Sequence, residues 1–231
     1  MKIKIFTGII AIFIMNLVFS QDLTVDQVLD NMKAKAEAIE SAHFLLTGRL
    51  IDPDGSEIVL EVDVGLMPKA QTTRAEFYQP DALADNFIIL DKDAVYNYVY
   101  LTNQATIFSA DDPDALGGIL PEREGHQNDG SFDFDLEKLF SGWNASLDGY
   151  EETGAGNVYK IRFDNKEEDV VINHVNVVVL DKEWIPISME FVKADGSLMT
   201  ELFFEDMEID GGLSLDDLLY IPDDAEIIDE R

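Results

Sequence analysis

From Ser56 to Met67 the apolar residues Ile58, Leu60, Val62, Val64 and Leu66 alternate with Glu57, Glu61 and Asp63. A period of two puts the first set on one face of a strand and the acids on the other, so the spacing predicts a half-buried antiparallel strand. His43 to Asp52 predicts its partner, reached through a Pro53-Asp54-Gly55 turn. Four more strands follow up to Phe108, broken by Pro68, Gln79-Pro80-Asp81, Asp91-Lys92-Asp93 and Thr102-Asn103-Gln104. Pro fixes φ and removes a donor, while Asp and Asn bond their own backbone, so each break carries turn chemistry. Between the breaks lie β-branched and aromatic runs such as Phe87–Leu90 and Val95–Tyr100. This meander is the stretch around which the rest of the chain is organised.

Before it, Thr24 and Gln27 have capping-box spacing, and Val25, Val28, Leu29, Met32, Ala36 and Ile39 recur with helical period. They predict an amphipathic helix laid against the sheet. After it, strands resume over Ala145–Glu151, Val158–Asp164, Val170–Asp181, Trp184–Lys193 and Leu198–Ile209, with a hairpin at Asp195-Gly196. Ile185, Ile187, Met189 and Phe191 alternate with Pro186, Ser188 and Glu190, which again predicts one apolar face. Ser214–Leu219 predicts a helical turn, and an acidic tail begins at Ile221. The expected fold is mainly β with helices. About eleven antiparallel strands are too many to stay flat, so the sheet curls into a barrel or half-barrel.

The segment of about 111–142 interrupts this rhythm. Asp111–Asp114 and Gly117-Gly118 are loop-like, Glu122–Ser131 is polar, and Phe132–Phe140 offers a short helix. So long an insertion with aromatic content predicts a lid. Its apolar candidates are Leu116, Ile119, Leu120, Phe134, Leu136, Leu139 and Phe140, within a moving part from about Leu116 to Phe140.

Residues 1–20 stand apart. Lys2 and Lys4 precede an apolar run from Ile5 to Phe19, and Val18 and Ser20 occupy the −3 and −1 positions of a cleavage before Gln21. This predicts a signal peptide, export, and one mature domain over 21–231; the alternative is an uncleaved N-terminal anchor. There is no Cys, hence no lipobox and no disulfide framework. The net charge is −31, and removing residues 1–20, which hold two lysines and no acid, takes it to −33. Such a charge argues against nucleic acid and anionic membrane surfaces as partners. Acids on the polar strand faces read as a solvated surface or as a docking face for a basic partner.

Catalytic and metal chemistry find little support. His43, His126 and His174 lack HExxH or HxH spacing, and Ser131, Ser141 and Ser197 lack a G-x-S-x-G context. No phosphate-binding glycine pattern exists. Asp133 with Asp135 permits a glycosidase-like pair, and Asp111, Asp112 and Asp114 permit calcium, but 47 acids generate such patterns by composition. Asn144-Ala145-Ser146 is a sequon of the kind that arises by chance. The expectation is a non-enzyme without metal or cofactor. Tyr96, Tyr98 and Tyr100 on one strand face, with Phe203, Phe204 and Met207 on another strand, indicate either a filled core or an apolar cavity.

The order of these elements resembles the LolA-type periplasmic lipoprotein carriers. The resemblance spans about residues 24 to 229 and rests on the helix, the hairpin, the Met67-Pro68 corner and Tyr78-Gln79-Pro80-Asp81. It continues through Asp91–Tyr98, Asn103-Gln104-Ala105-Thr106, the helical insertion, and five strands closing with Tyr220-Ile221-Pro222. It implies an unclosed antiparallel β-barrel under a helical lid, whose cavity takes acyl chains of a lipoprotein or free lipid for sorting to the outer membrane. The partners it implies are an inner-membrane release complex and an outer-membrane receptor. Secreted lipid- or glycolipid-binding proteins and sensors of the same fold are the alternative. The implied cavity lining is Ile58, Leu60, Val62, Val64, Leu66 and Met67 on one strand, Tyr96 and Tyr98 on another, and Ile187, Met189, Phe191 and Phe204 on the closing hairpin. Proteobacterial carriers place before the corner Pro an Arg that bonds the lid closed; Met67 stands there in this chain, leaving Arg49 and Arg74 as arginines that could reach a lid.

Overall fold

A computed structural model describes residues 23–52, 54–112, 115, 136–154, 156–167 and 170–231. The signal-peptide segment, the lid positions Leu116, Ile119, Leu120 and Phe134, and the Asp133/Asp135 pair lie outside them.

Helix α1 (Val25–Ala38) starts as its sequence dictates: the Thr24 side chain accepts from Gln27 N at 3.3 Å, and the Gln27 side chain accepts from Thr24 N at 2.9 Å. Its stripe buries Val28, Leu29 and Met32. The strands are β1 (Ala42–Ile51), β2 (Glu57–Met67), β3 (Thr72–Gln79), β4 (Phe87–Leu90), β5 (Ala94–Val99) and β6 (Gln104–Ser109). After the short helix α2 (Leu136–Leu139) come β7 (Asn144–Thr153), β8 (Gly156–Asp164), β9 (Ile172–Leu180), β10 (Ile185–Lys193) and β11 (Leu198–Ile209). Helix α3 (Leu215–Leu218) and β12 (Glu226–Asp229) end the chain.

Among the described residues the strands form one twelve-stranded sheet in the order β12-β6-β5-β4-β3-β2-β1-β11-β10-β9-β8-β7. Two antiparallel meanders meet where β1 pairs with β11. The sheet is unclosed, with β12 and β7 at its ends. The twelfth strand comes from the segment read as an acidic tail: Glu226–Asp229 runs parallel to β6, pairing Glu226 with Gln104 and Asp229 with Ile107.

One face of the sheet carries the main core. Leu66, Val64 and Val62 on β2 stand beside Ala42, Phe44 and Leu46 on β1, and the same cluster takes in Met189, Val177 and Ile161. Each such fully buried aliphatic contributes about 1.5–3 kcal/mol. α1 covers this inner face and touches α2, β7 and β10.

Among the described residues, the outer face is covered over β2 to β6. After β11 the chain turns back and crosses β2 to β6 as a strap, placing Leu213 and Leu218 over Gly65. Leu219, Ile221 and Ala225 then pack on Phe87, Ile89, Tyr98 and Ala105. Burial on both faces accounts for the unbroken apolar run Phe87–Leu90, which has no alternation to show.

Candidate functional site

The inner positions of β1 to β6 follow from the ladder. They are Ala42 to Leu50 and Ile58 to Leu66 by twos, then Thr73, Ala75, Phe77, Ile88, Leu90, Val95, Asn97, Val99, Gln104, Thr106 and Phe108. None of them is charged. The acids and bases of these strands point outward, where Arg49 Nε meets Glu201 at 3.0 Å and His43 Nε2 meets Asp63 at 2.9 Å.

The cover over this face is partial. Val62, Val64 and Leu66 are buried, as are Leu136 and Phe140 of the insertion. Phe140 packs on Phe163 with ring centroids 4.6 Å apart and on Trp143 at 5.4 Å, and Lys33 of α1 reaches Glu137 at 3.7 Å. Leu139 packs against the same cluster, half-buried. Farther along the strands, towards the β1–β2 and β10–β11 turns, Leu50, Ile58, Leu60, Phe191 and Leu202 are only half-buried. They are contiguous: Leu50 pairs with Ile58, while Gly48 stands between Leu60 and Leu202. Gly48 also lets β1 and β11 close up, since a Cβ there would lie 2.0 Å from Glu201 O. The result is a half-covered apolar trough along the inner face.

The sequence-predicted residues divide among three places. Val62, Val64, Leu66, Met189 and Phe204 lie in the covered core, with Phe204 5.5 Å from Phe44. Ile58, Leu60 and Phe191 line the half-covered stretch. Tyr96, Tyr98, Met67 and Ile187 are elsewhere. Tyr98 opposes Phe87 and Tyr96 opposes Ile89, which puts both tyrosines on the outer face under the strap. Tyr98 stacks on Phe87 at 4.5 Å and donates to Asn103 Oδ1 at 2.9 Å; burial pushes its phenol above the usual value. Tyr100 lies in the turn beyond β5 rather than on a shared face. Met67 has the parity of Gly65, not of Leu66. Ile187 sits in a β-bulge between Pro186 and Ser188 and is 36% exposed, because the bulge resets the alternation that the sequence implied.

The two arginines also have other tasks. Arg49 pairs with Glu201 and Glu57 on the outer face. The Arg74 guanidinium stacks 3.6 Å over the Phe87 ring and donates to Tyr220 O at 2.7 Å, so it fastens the strap. Burial and then Arg162 hold the His174 imidazole below its usual pKa. Among the described residues no cluster of three or more His, Cys, Asp or Glu could hold a metal ion, and no helix is long and apolar enough to cross a membrane.

A shallow depression of about 520 Å3 lies away from the trough, between the strap and the β5–β6 turn, lined by Tyr98, Tyr100, Leu101, Asn103, Pro222 and Asp224. The Tyr-rich strand, the Asn103 turn and the Tyr220-Ile221-Pro222 segment each supply a sequence signal for it, but nothing in their spacing brings them together.

This architecture is found in other solved proteins. An uncharacterized conserved protein from Thermus thermophilus superposes with a TM-score of 0.61 at 19% identity, over 88% of this chain and 98% of that one. What the two share is the fold. Looser likenesses reach a LolA superfamily protein from Nitrosomonas europaea (TM-score 0.36, 14% identity, 80% of this chain, 93% of that one). Another is the MucA/MucB complex of Pseudomonas aeruginosa (0.48, 13%, 84% and 61%). No protein-family model matches the sequence, and no curated protein matches it.

Proposed function

We propose that this protein is a non-enzymatic carrier of the periplasm that holds acyl chains in the inner trough of its sheet. The carrying observation is the uncharged apolar face that runs on, half-covered, past α1 to Leu50, Ile58, Leu60, Phe191 and Leu202. An apolar surface of this kind on an otherwise strongly acidic molecule favours an apolar occupant. The order of motifs shared with LolA-type carriers favours lipoprotein acyl chains or free lipid as cargo, an inner-membrane release complex as donor and an outer-membrane receptor as acceptor. In this reading residues 1–20 are the export signal, 21–231 form one domain, and the insertion from about Leu116 to Phe140 is the lid. Arg74 fastens the strap, so lid opening proceeds without an arginine lock at the corner Pro.

Glu is best introduced where the face is half-covered, since Val64 and Leu66 are packed too tightly to accept it without unfolding. Ile58→Glu and Leu60→Glu place a carboxylate against the cargo, and burying that charge costs several kcal/mol unless it protonates. Binding of the neutral dye N-phenyl-1-naphthylamine is expected to fall steeply in both, with native circular dichroism. Unchanged binding in both folded variants would overturn the carrier reading.

A further inference from the structure

Besides the buried Thr73 and Thr200, the inner face carries two neighbouring polar side chains on β5 and β6. Asn97 on β5 and Thr106 on β6 are direct cross-strand partners, and Asn97 also stands opposite Ile88 of β4. Ile88, Val95 and Phe108 belong to the inner core or pack on it, so the alternation of both strands places Asn97 and Thr106 on the inner face. Both are half-buried. Neither the Asn97 amide nor the Thr106 hydroxyl makes a hydrogen bond among the described residues. Gln104, the next inner polar residue, is committed to Glu226 at 2.8 Å.

An amide carries two donors and an acceptor, and a hydroxyl one donor and two acceptors. Their Cβ atoms stand about 5 Å apart across the ladder, so one ligand atom can meet both. The inner positions of β1–β6 hold no charge, which disfavours a phosphate or carboxylate there and suits a neutral carbonyl. Asn97 is level with Ile88, Ala75 and Val64, so it lies about 14 Å across the ladder and about 13 Å along it from Leu60, about 20 Å in all. A long acyl chain resting on Leu60 can therefore reach this pair with its head, and a short one cannot.

We propose that Asn97 and Thr106 form the subsite that receives the neutral carbonyl, ester or amide, at the head of the bound acyl chain. This rests on the trough reading and adds a polarity to it: hydrocarbon toward β1 and β11, carbonyl at β5 and β6. The subsite makes the protein select acylated compounds over plain hydrocarbon.

The test uses the full chain loaded with N-phenyl-1-naphthylamine and displaced by methyl palmitate, palmitamide or heptadecane. In the parent, the ester and the amide are expected to displace the dye at about threefold to tenfold lower concentration than heptadecane, the worth of a hydrogen bond. In Asn97→Leu and in the near-isosteric Thr106→Val this ratio falls toward one, while Lys182→Gln, on an exposed turn, keeps it. Dye binding with the same ratio in the parent and both variants overturns the subsite and leaves the trough standing. Failure of the folded parent to bind the dye overturns the trough and the subsite together.

Discussion

Leu218 rests on the bare backbone of Gly65. A Cβ at Gly65 would stand 2.8 Å from Leu218 Cδ2 and 3.3 Å from Leu213 Cδ2. Leu218 is 1% exposed there, the deepest point of the strap. Gly65→Val should lift α3 off the sheet and forfeit most of the burial of Leu218, about 2–3 kcal/mol. The urea midpoint should drop and the segment after Ile209 should become sensitive to protease. An unchanged midpoint would show that the strap's grip lies elsewhere.

Arg74 is the polar half of the same attachment. Its guanidinium stacks on Phe87 and donates to Tyr220 O and to Glu76. A lysine keeps the charge but loses the planar stack and the forked donors. Arg74→Lys is expected to cost about 1–2 kcal/mol in urea unfolding. A lysine variant as stable as the parent would mean that charge alone suffices.

Asp210 links the two meanders. Its Oδ1 accepts from Glu40 N at 2.9 Å and Ser41 N at 3.0 Å. Those two bonds, led by Ser41, hold its carboxyl below the usual range. A carboxyl whose folded pKa is depressed adds stability above its unfolded value of about 3.9, and loses it as pH falls through the folded value. The stability gap between the parent and Asp210→Asn should therefore be full at neutral pH and narrow below about pH 4. A gap independent of pH would assign the loss to shape rather than ionisation.

Gly48 tests the trough floor. With Glu201 O in the path of any Cβ, Gly48→Ala must push β1 from β11. A stability loss of about 1–3 kcal/mol is expected by analogy with overpacked cores. Weaker dye binding should accompany it, because parting the two strands separates Leu60 from Leu202 on the inner face. Full stability with full binding would contradict the close approach.

Much of this architecture is legible in the residues. The Thr24/Gln27 cap, the alternating face of β2 and the Asp195-Gly196 turn act through neighbours in sequence, so their spacing reports them directly. Leu198–Ile209 emerges with those bounds for the same reason. What was hidden depends on distant contacts. Tyr96 and Tyr98 share a face with each other, but which face it is depends on a strap more than a hundred residues downstream. Ile187 leaves the face its spacing implies because a bulge leaves no mark on apolar alternation. Arg74 looks like any polar residue until Phe87 and Tyr220 are folded around it. β12 escaped notice because Glu226 and Asp229 mask a strand whose partner, β6, lies far back in the chain.

An unclosed sheet has two rows of backbone groups with no neighbour, a standing invitation to polymerise edge to edge. The two rims here are blunted differently. At one, β12 offers only Glu226–Asp229, and Arg231 turns back onto the Asp229 carboxylate at 2.6 Å. At the other, β7 is interrupted between Leu147 and Gly149 and then carries Glu151 and Glu152. A copy trying to extend the ladder would meet a short acidic strand at one rim and a bent acidic one at the other. The sheet can stay open along its length without becoming a template for fibres.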